Sequence, residues 1–249
     1  MDVRGKKIIV TGGAGGLGRS MVDKLVAQRA TVTVFDLNRQ GLDELKKRQP
    51  EVNCVECDVS DYVQVVHSTS EYHERAGAAD VLINNAGILY SAPLVRISTT
   101  GIEKHDVAMW QKVLAADLSS VFYMTVCVVE KMIASRTKGL IVNISSVSAS
   151  GNPGASAYSA AKAGVNALTS AWAKELSPLG IRVVAVAPGF TETESAREAM
   201  SAAALRETIN RVPLRRLGKP DEIAEGVLSV IQNDFFNGKV FELDGGLVL

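Results

Sequence analysis

The chain has 249 residues, of which 47% are hydrophobic and 22% charged, and its 27 basic and 27 acidic side chains leave no net charge. This composition is ordinary for a globular protein in water, and the length suits one large α/β domain. A neutral chain has no net field that would attract nucleic acid or an anionic membrane. We therefore expect a single domain over residues 1–249, with neither nucleic acid nor a membrane as partner.

No N-terminal segment resembles a signal peptide, and the longest apolar run, residues 121–129, is too short to cross a bilayer. Cys54 and Cys57 form a lone C-x-x-C pair without a second pair or a histidine cluster to complete a metal site. We predict a cytoplasmic protein that binds no metal, in which these cysteines only contribute to packing.

Short β-branched runs alternate with amphipathic helical patterns along the chain. The predicted strands cover residues 7–11, 31–36, 52–58, 79–84, 140–145, 181–187 and 240–243. The predicted helices lie near 17–29, 39–48, 61–76, 110–135, 156–177 and 220–232. Nearly continuous apolar strands are typical of a parallel sheet that helices cover on both faces. We predict an α/β, doubly wound (Rossmann-type) domain with a seven-stranded parallel sheet.

A glycine-rich loop, residues 11–18, lies between the first predicted strand and the first predicted helix. Glycines permit a tight turn and a close backbone approach, and the helix N-terminus offers unpaired N–H groups to a pyrophosphate. This position in a βαβ unit indicates dinucleotide binding. The predicted contacts are Gly12, Gly15, Gly16, Leu17 and Gly18.

Asp36 ends the second predicted strand. A carboxylate at this position accepts hydrogen bonds from ribose hydroxyls and repels a 2′-phosphate. Neither Gly15 nor Leu37 supplies a cation to hold that phosphate, although Arg39 could reach it. We predict NAD as the cofactor, with Asp36 and Leu37 at its adenosine ribose.

Two long segments, 88–109 and 190–219, follow strand ends, where open α/β sheets bind their ligands. We predict irregular substrate walls, the second being partly helical and apolar like a lid. The pocket candidates are Leu89, Tyr90, Ser146, Val147, Asn152, Ala155 and Phe190. This set contains no arginine or lysine, which disfavours strongly anionic substrates.

Tyr158 and Lys162 are four residues apart in a predicted helix, and Ser145 ends the preceding strand. Residues i and i+4 of a helix share one face, so the ammonium should lie beside the phenol. A nearby cation favours the phenolate form, as a general acid/base for alcohol chemistry requires.

Five motifs, in this order, resemble the short-chain dehydrogenase/reductase family. They are the loop 11–18, Asp58-Val59, Asn84-Asn85-Ala86-Gly87, Ser145 with Tyr158-x-x-x-Lys162, and Pro188-Gly189 followed by Thr191 and Thr193. The resemblance implies that Tyr158 exchanges a proton with the substrate oxygen and that Ser145 hydrogen-bonds that oxygen. Lys162 would support Tyr158 and bind the nicotinamide ribose, while the cofactor carries the hydride chemistry.

The same resemblance implies further cofactor contacts, and the pocket candidates suggest substrate contacts. The cofactor set is Asp58, Val59, Asn85, Ala86, Gly87, Tyr158, Lys162, Pro188, Gly189, Thr191 and Thr193. The substrate set is Ser145, Asn152, Tyr158 and Phe190.

One position departs from the family pattern. Seven residues after the tryptophan of the central helix the family has a catalytic asparagine, which helps hold a water that relays protons to the lysine. Here Trp110 is followed at that spacing by Asp117. An aspartate still accepts hydrogen bonds, but it lacks the NH₂ donor and can add a negative charge near Lys162. We include Asp117 among the catalytic residues.

The leading interpretation is an NAD-dependent dehydrogenase that acts on a secondary alcohol or its ketone. An alternative is a 3-oxoacyl-[acyl-carrier-protein] reductase, which residues 212–224 and Asp244-Gly245-Gly246 resemble; Asp36 argues against it because those reductases generally use NADP(H). A dinucleotide-binding protein without turnover is a remote alternative, because Ser145, Tyr158 and Lys162 are intact.

The family generally forms a homotetramer or homodimer through helices that match those near 110–135 and 156–177, and we predict the same here. Small side chains in the second helix permit close helix approach, although they could equally pack on the chain's own sheet. They are Ala160, Ala161, Ala163, Ala167, Ala171 and Ala173.

Overall fold

A parallel sheet of seven strands forms the centre of the protein, whose computed structural model describes residues 1–99, 101–193 and 202–247. The strands are β1 (Lys7–Thr11), β2 (Thr31–Asp36), β3 (Asn53–Glu56), β4 (Val81–Asn84), β5 (Val95–Ser98), β6 (Gly101–Lys104), β7 (Leu140–Ile144), β8 (Arg182–Pro188) and β9 (Val240–Leu243). The central sheet has the order β3-β2-β1-β4-β7-β8-β9, and all its neighbouring strands are parallel. This confirms the predicted fold class.

Helices cover both faces of the sheet. They are α1 (Gly16–Ala27), α2 (Arg39–Arg48), α3 (Tyr62–Ala76), α4 (Val107–Leu114), α5 (Ser120–Ala134), α6 (Ser156–Leu176), α7 (Ala202–Arg211) and α8 (Pro220–Gln232). Side chains alternate between the two faces along each strand. Ile8 and Val10 of β1 therefore join a core with α1, α2 and α8, whereas Ile9 joins a second core with α3 and α5.

The predicted central helix begins earlier than expected and changes its pitch. It begins after Asp106, whose carboxylate accepts hydrogen bonds from the N–H groups of Ala108 at 2.8 Å and Met109 at 3.3 Å. Between α4 and α5 the chain forms a π-helical turn, Ala115–Ser119. Such turns are rare and often lie at functional sites. Asp117 lies in this turn.

The continuous helical segment Val107–Ala134 is the one part of the described chain that is long and apolar enough to cross a membrane. Of the most apolar 18-residue stretch of this segment, however, 44% is buried inside the protein. Met124, Val128 and Met132 lie in the second core and are fully buried. Because these side chains pack in the core, we interpret the segment as a core helix. Core helices of globular proteins have the same apolar composition as membrane spans.

The first predicted substrate wall, 88–109, is not irregular throughout. It contains an antiparallel hairpin of β5 and β6, in which Ile97 pairs with Ile102. These two side chains are 84% and 74% exposed, so the hairpin has no buried face that would produce an alternating sequence pattern. In the second wall, 190–219, α7 agrees with the predicted helical character, whereas residues 194–201 lie outside the described residues.

Candidate active site

A cleft of about 920 Å³ lies at the carboxyl ends of the sheet strands. Its lining includes residues that follow β1, β2, β3, β4, β7 and β8, as expected for a ligand site of an open parallel sheet. The predicted site residues in the lining are Gly12, Gly15, Gly16, Leu17, Asp36, Leu37, Asp58, Val59, Asn85, Ala86, Gly87, Asp117, Ser145, Asn152, Tyr158, Lys162, Pro188, Gly189, Phe190, Thr191 and Thr193.

Two predicted residues lie outside the lining. Gly18 is buried, and a Cβ atom there would come within 2.1 Å of the Gly12 carbonyl oxygen. The missing side chain therefore lets α1 pack closely against the glycine-rich loop, and the cofactor contact of Gly18 stays a prediction. Tyr90 stacks edge-on against His105 instead of lining the cleft.

The loops after β1 and β4 are held together by hydrogen bonds. The N–H groups of Asn85 and Ala86 both donate to Thr11 Oγ1 at 3.0 Å, and Asn85 Nδ2 donates to the carbonyl oxygens of Thr11 and Gly12 at 3.0 Å. A Cβ atom at Gly12 would lie 2.8 Å from Ala86 Cα. Only glycine therefore allows this contact, which places both loops in the same cleft wall.

The start of α1 can accommodate a pyrophosphate. No side chain caps this helix at Gly15, so its first N–H groups have no side-chain acceptor. An added Cβ atom at Gly15 or Gly16 would meet nothing within 4 Å, which shows that the backbone faces open space. Free N–H groups and the positive end of the helix dipole favour an anion at this position.

Asp36 lies beside the glycine-rich loop, and two backbone N–H groups hold its carboxylate in place. Its Oδ2 atom accepts a hydrogen bond from the Ala14 N–H at 2.9 Å, and its Oδ1 atom accepts one from the Asn38 N–H at 2.9 Å. Each carboxylate oxygen can accept a second hydrogen bond, so ribose hydroxyls fit here. Arg39 is exposed, lies outside the lining and has its Nη1 atom 3.6 Å from Glu56 Oε2. Among the cleft residues that the structure describes, Lys162 is the only lysine or arginine.

The three residues predicted for proton transfer come together at β7 and α6. Lys162 Nζ donates a hydrogen bond to the Ile144 carbonyl oxygen at 3.0 Å and lies 5.5 Å from the centroid of the Tyr158 ring. Ser145 Oγ donates to the carbonyl oxygen of Lys162 at 3.3 Å. Ser145 and Lys162 are buried, whereas Tyr158 is half-buried and lines the cleft. The arrangement places a cation beside a tyrosine that can reach a substrate.

Asp117 is fully buried beside Lys162. Its Oδ1 atom accepts a hydrogen bond from the Ile88 N–H at 2.8 Å, and its Oδ2 atom lies 3.4 Å from Lys162 Nζ. Burial raises the pKa of the Asp117 carboxyl above its ordinary value, while the Lys162 ammonium and the Ile88 N–H act in the opposite direction. A Cβ atom at Gly87 would lie 2.7 Å from Asp117 Oδ2, so a side chain at position 87 would displace the carboxyl.

The wall after β8 is tied to the C-terminal part of the chain. Gly189 donates its N–H to the Leu243 carbonyl oxygen at 2.8 Å, and Gly218 donates its own to the Phe190 carbonyl oxygen at 2.9 Å. This contact brings Leu217 into the cleft lining. Leu217 has no chemical signal in the sequence, and its segment, 212–224, is notable only for the family resemblance.

Several other lining residues were not predicted. They are Phe35, Asn38, Cys57, Ser60, Ile88, Ser91, Ala116, Ile144 and Ser148. Most of them directly adjoin predicted site residues, so their positions next to strand ends would have indicated that they line the cleft.

Burial raises the pKa of the Cys57 thiol, which favours its neutral form. The described residues include no group of three or more His, Cys, Asp or Glu side chains that could hold a metal ion.

Comparison with known proteins shows the family to which the chain is similar. A family model described as short chain dehydrogenase matches residues 6–204. The chain is 39% identical to 3-oxoacyl-[acyl-carrier-protein] reductase of Thermotoga maritima, with 100% of both chains covered. It is 33% identical to sorbitol-6-phosphate 2-dehydrogenase of Klebsiella pneumoniae, covering 99% of this chain and 97% of the relative. The crystal structure of a putative gluconate dehydrogenase from Agrobacterium tumefaciens superimposes with a TM-score of 0.88 at 28% identity, covering 100% and 98% of the two chains.

Proposed function

The chain belongs to the short chain dehydrogenase family of oxidoreductases that act on CH–OH groups, and we propose that it transfers a hydride between NAD(H) and a secondary alcohol or its ketone. The observation that carries this proposal is the placement of Ser145, Tyr158 and Lys162 in one cleft with Asp36. An acid/base group and an adenosine-binding carboxylate thus share one binding site.

Proton transfer is assigned to Tyr158. In the oxidative direction its phenolate accepts the proton of the substrate hydroxyl, and Ser145 Oγ donates a hydrogen bond to the same oxygen. Lys162, held by Ile144, keeps a positive charge beside the ring and so favours the phenolate. Bound NAD supplies the hydride acceptor.

The proposed cofactor site uses the remaining lining residues. The N-terminal N–H groups of α1 would hold the pyrophosphate, and Asp36 would bind the ribose hydroxyls. The other proposed contacts are Gly12, Leu17, Leu37, Asp58, Val59, Asn85, Ala86, Gly87, Lys162, Pro188, Gly189, Thr191 and Thr193. NAD is favoured over NADP because Asp36 would repel a 2′-phosphate and Arg39 lies against Glu56.

The cofactor proposal is tested by comparing kcat/KM for NAD and for NADP in the oxidation of one alcohol. We expect a preference for NAD that shrinks in Asp36→Ala, because this change removes both the repulsion and the ribose hydrogen bonds. Asp43→Ala on the exposed face of α2 is a matched control and should leave the preference unchanged. A preference of the wild type for NADP would contradict the proposal and would indicate Arg39 as the phosphate partner.

The substrate contacts proposed are Ser145, Asn152, Tyr158 and Phe190. Leu89, Ser91, Val147, Ser148 and Leu217 complete a mixed polar and apolar wall. Because this wall contains no arginine or lysine among its described residues, we propose an uncharged or weakly charged alcohol. A screen with NAD across hydroxyacyl, sugar, steroid and simple secondary alcohols tests the class.

The second candidate is a 3-oxoacyl-[acyl-carrier-protein] reductase. The 39% identical relative bears that name, which is the observation in its favour. Reduction of a 3-oxoacyl thioester with NADPH, faster than any alcohol oxidation with NAD, would support it over our proposal. Any turnover with either cofactor would eliminate a purely structural dinucleotide-binding protein.

We further propose that the enzyme is a cytoplasmic homotetramer or homodimer without nucleic acid or membrane partners. The apolar concave surface between α5 and α6 supports self-association. We name this surface the α5/α6 patch; its residues are Leu118, Ser119, Phe122, Tyr123, Gly164, Ala167 and Leu168. The helical segment Val107–Ala134 is long and apolar enough to span a membrane, but we assign its apolar side chains to the core and to this patch.

A further inference from the structure

The buried ammonium of Lys162 has two oxygen neighbours, one in a neutral carbonyl group and one in a carboxyl group. It is only 4% exposed, its Nζ atom donates to the neutral Ile144 carbonyl at 3.0 Å, and Asp117 Oδ2 lies 3.4 Å away. Burying an ammonium without a counter-charge is costly, whereas a carboxylate at this distance offsets the charge. Asp117 Oδ2 is itself buried and has no hydrogen-bond partner in the described structure, so the ion pair with Lys162 is its one charged contact there. The two groups are therefore each other's charge partners.

Few other charges act at this position. The segment after β4 contributes to Asp117 only the Gly87 backbone and the Ile88 N–H among described residues, and α6 contributes Lys162. Tyr158, on the same helix, is the other titratable group of the cleft at this end, and Lys162 lies close to its ring. Asp117 and Tyr158 thus both lie beside the Lys162 ammonium, so the charge of Asp117 alters the net charge that acts on Tyr158.

We propose that Asp117, as a carboxylate, is a positioning residue that holds the Lys162 ammonium and offsets part of its charge at Tyr158. The proposal rests on the proposed function, in which Tyr158 is the acid/base. A neutral asparagine at this position would leave the ammonium uncompensated and would favour the phenolate more strongly. The aspartate thus moves the pH range of alcohol oxidation upward relative to an asparagine.

The first test is the pH profile of kcat/KM for alcohol oxidation in the wild type and Asp117→Asn. We expect the acidic limb of the profile to move to lower pH in the variant, because the ammonium beside Tyr158 loses its counter-charge. Glu130→Gln removes the same charge from an exposed position of α5 and is the matched control, with no shift expected. An unchanged limb, or a shift to higher pH, in Asp117→Asn would overturn the proposal.

A second test needs neither substrate nor turnover. The phenolate of Tyr158 is titrated by ultraviolet difference absorbance between each protein and its Tyr158→Phe counterpart. In the Asp117→Asn background the phenolate should form at lower pH than in the wild type, and identical titrations contradict the proposal. This readout separates failure of the inference from failure of the proposed function. If Asp117→Asn misfolds, Asp117→Ser removes the same charge and is expected to shift the titration in the same direction.

Discussion

Tyr158 gains its proposed reactivity from neighbouring residues that the fold holds in place. Lys162 lies one helical turn further along α6, and the Ile144 carbonyl oxygen at the end of β7 fixes its ammonium. Ser145 follows directly in the chain, and its hydroxyl reaches back to the Lys162 carbonyl. The strand end and the helix therefore orient one another, and a change in either should disturb proton transfer.

Removing only the Tyr158 hydroxyl tests this role. Tyr158→Phe should lower kcat by a factor on the order of 10² to 10⁴, the usual contribution of a positioned acid/base, while NADH affinity and the fold are retained. Tyr62→Phe, at the exposed start of α3, is a matched control that should keep full activity. Steady-state kinetics and NADH titration are the measurements. Full activity in Tyr158→Phe would require another proton acceptor between residues 145 and 158.

The motifs predict most of the residues that line the cleft, because glycines, Asp36 and the Tyr158/Lys162 pair each have a chemical reason for their positions. They do not reveal how Asp117 is held. That depends on the Ile88 N–H from a different segment and on the close approach of the Gly87 backbone, and both are tertiary contacts. The sequence could therefore predict a charge near Lys162, but not a buried pair.

At the scale of elements, a chain of buried polar side chains connects the sheet to α5 and α6. Asn84 Nδ2, at the end of β4, donates to Thr125 Oγ1 and to Asn143 Oδ1, both at 2.9 Å. Asn143 Nδ2, on β7, donates to Thr169 Oγ1 at 2.9 Å. All four side chains are buried, so each broken bond would leave an unsatisfied group. The chain holds α6 in register with the strand that ends at Ser145.

Thr169→Val removes the last acceptor of this chain while keeping the side-chain shape. We expect a loss of about 1–3 kcal/mol in the free energy of unfolding, because Asn143 Nδ2 is left buried without a partner. Ser170→Ala, the next residue, removes an exposed hydroxyl that bonds to its own helix and should change stability by less than about 0.5 kcal/mol. The free energies of unfolding of both variants are measured by urea denaturation. Equal values for Thr169→Val and Ser170→Ala would show that the hydrogen bond to Thr169 contributes nothing to stability.

The start of α8 provides a pH-dependent contact. Glu222 accepts hydrogen bonds from Arg216 Nη2 at 2.6 Å, Arg216 Nη1 at 2.7 Å and the Lys219 N–H at 2.8 Å. The Arg216 hydrogen bonds, then the Lys219 N–H, lower the pKa of Glu222 from 4.5 to about 2. A lowered carboxylate pKa stabilises the folded state above the unfolded pKa and ceases to do so as the pH falls through the folded one.

Glu222→Gln should therefore lower Tm near neutral pH, and its difference from the wild type should disappear as the pH falls from about 4.5 toward 2. The effect will be modest and weaker at high salt, because the pair is partly exposed and solvent screens it. Glu175→Gln, an exposed change on α6, is the control. A Tm difference that persists unchanged at the acidic end would contradict the assigned cause.

Element prediction succeeded where burial imposes a pattern and failed where it does not. The inner strands β1, β4 and β7 are buried on both faces, and their positions agree with those predicted for the doubly wound sheet. The hairpin β5–β6 exposes every side chain except that of Ser98, which is half-buried, and the π-helical turn Ala115–Ser119 has no distinctive composition. Helix α4 also begins earlier than predicted, because the Asp106 side chain caps its N-terminus.

At the scale of the whole molecule, α6 has two different faces. Ala161 and Ala173 are buried against the chain's own core, as one of the two interpretations of the alanine-rich sequence required. Ala160, Ala163, Ala167 and Ala171 are exposed, however, and α5 exposes Phe122, Val126 and Ile133 beside them. Packing on the chain's own core thus accounts for one side of the helix. The contact between copies stays a prediction for the exposed side, which includes the α5/α6 patch.

If the α5/α6 patch is the proposed contact between copies, a charge placed in it should break the assembly. Phe122 is 48% exposed and lines the patch, so Phe122→Asp would bury a carboxylate without a partner on association, which is unfavourable by several kcal/mol. We expect light scattering at micromolar concentration to give an oligomer for the wild type and a smaller species, with unchanged circular dichroism, for Phe122→Asp. Ile97→Asp makes a comparable change on the more exposed hairpin and should leave the mass unaltered. A monomeric wild type would refute the assembly itself, whereas an intact oligomer in Phe122→Asp would place the contact on another face.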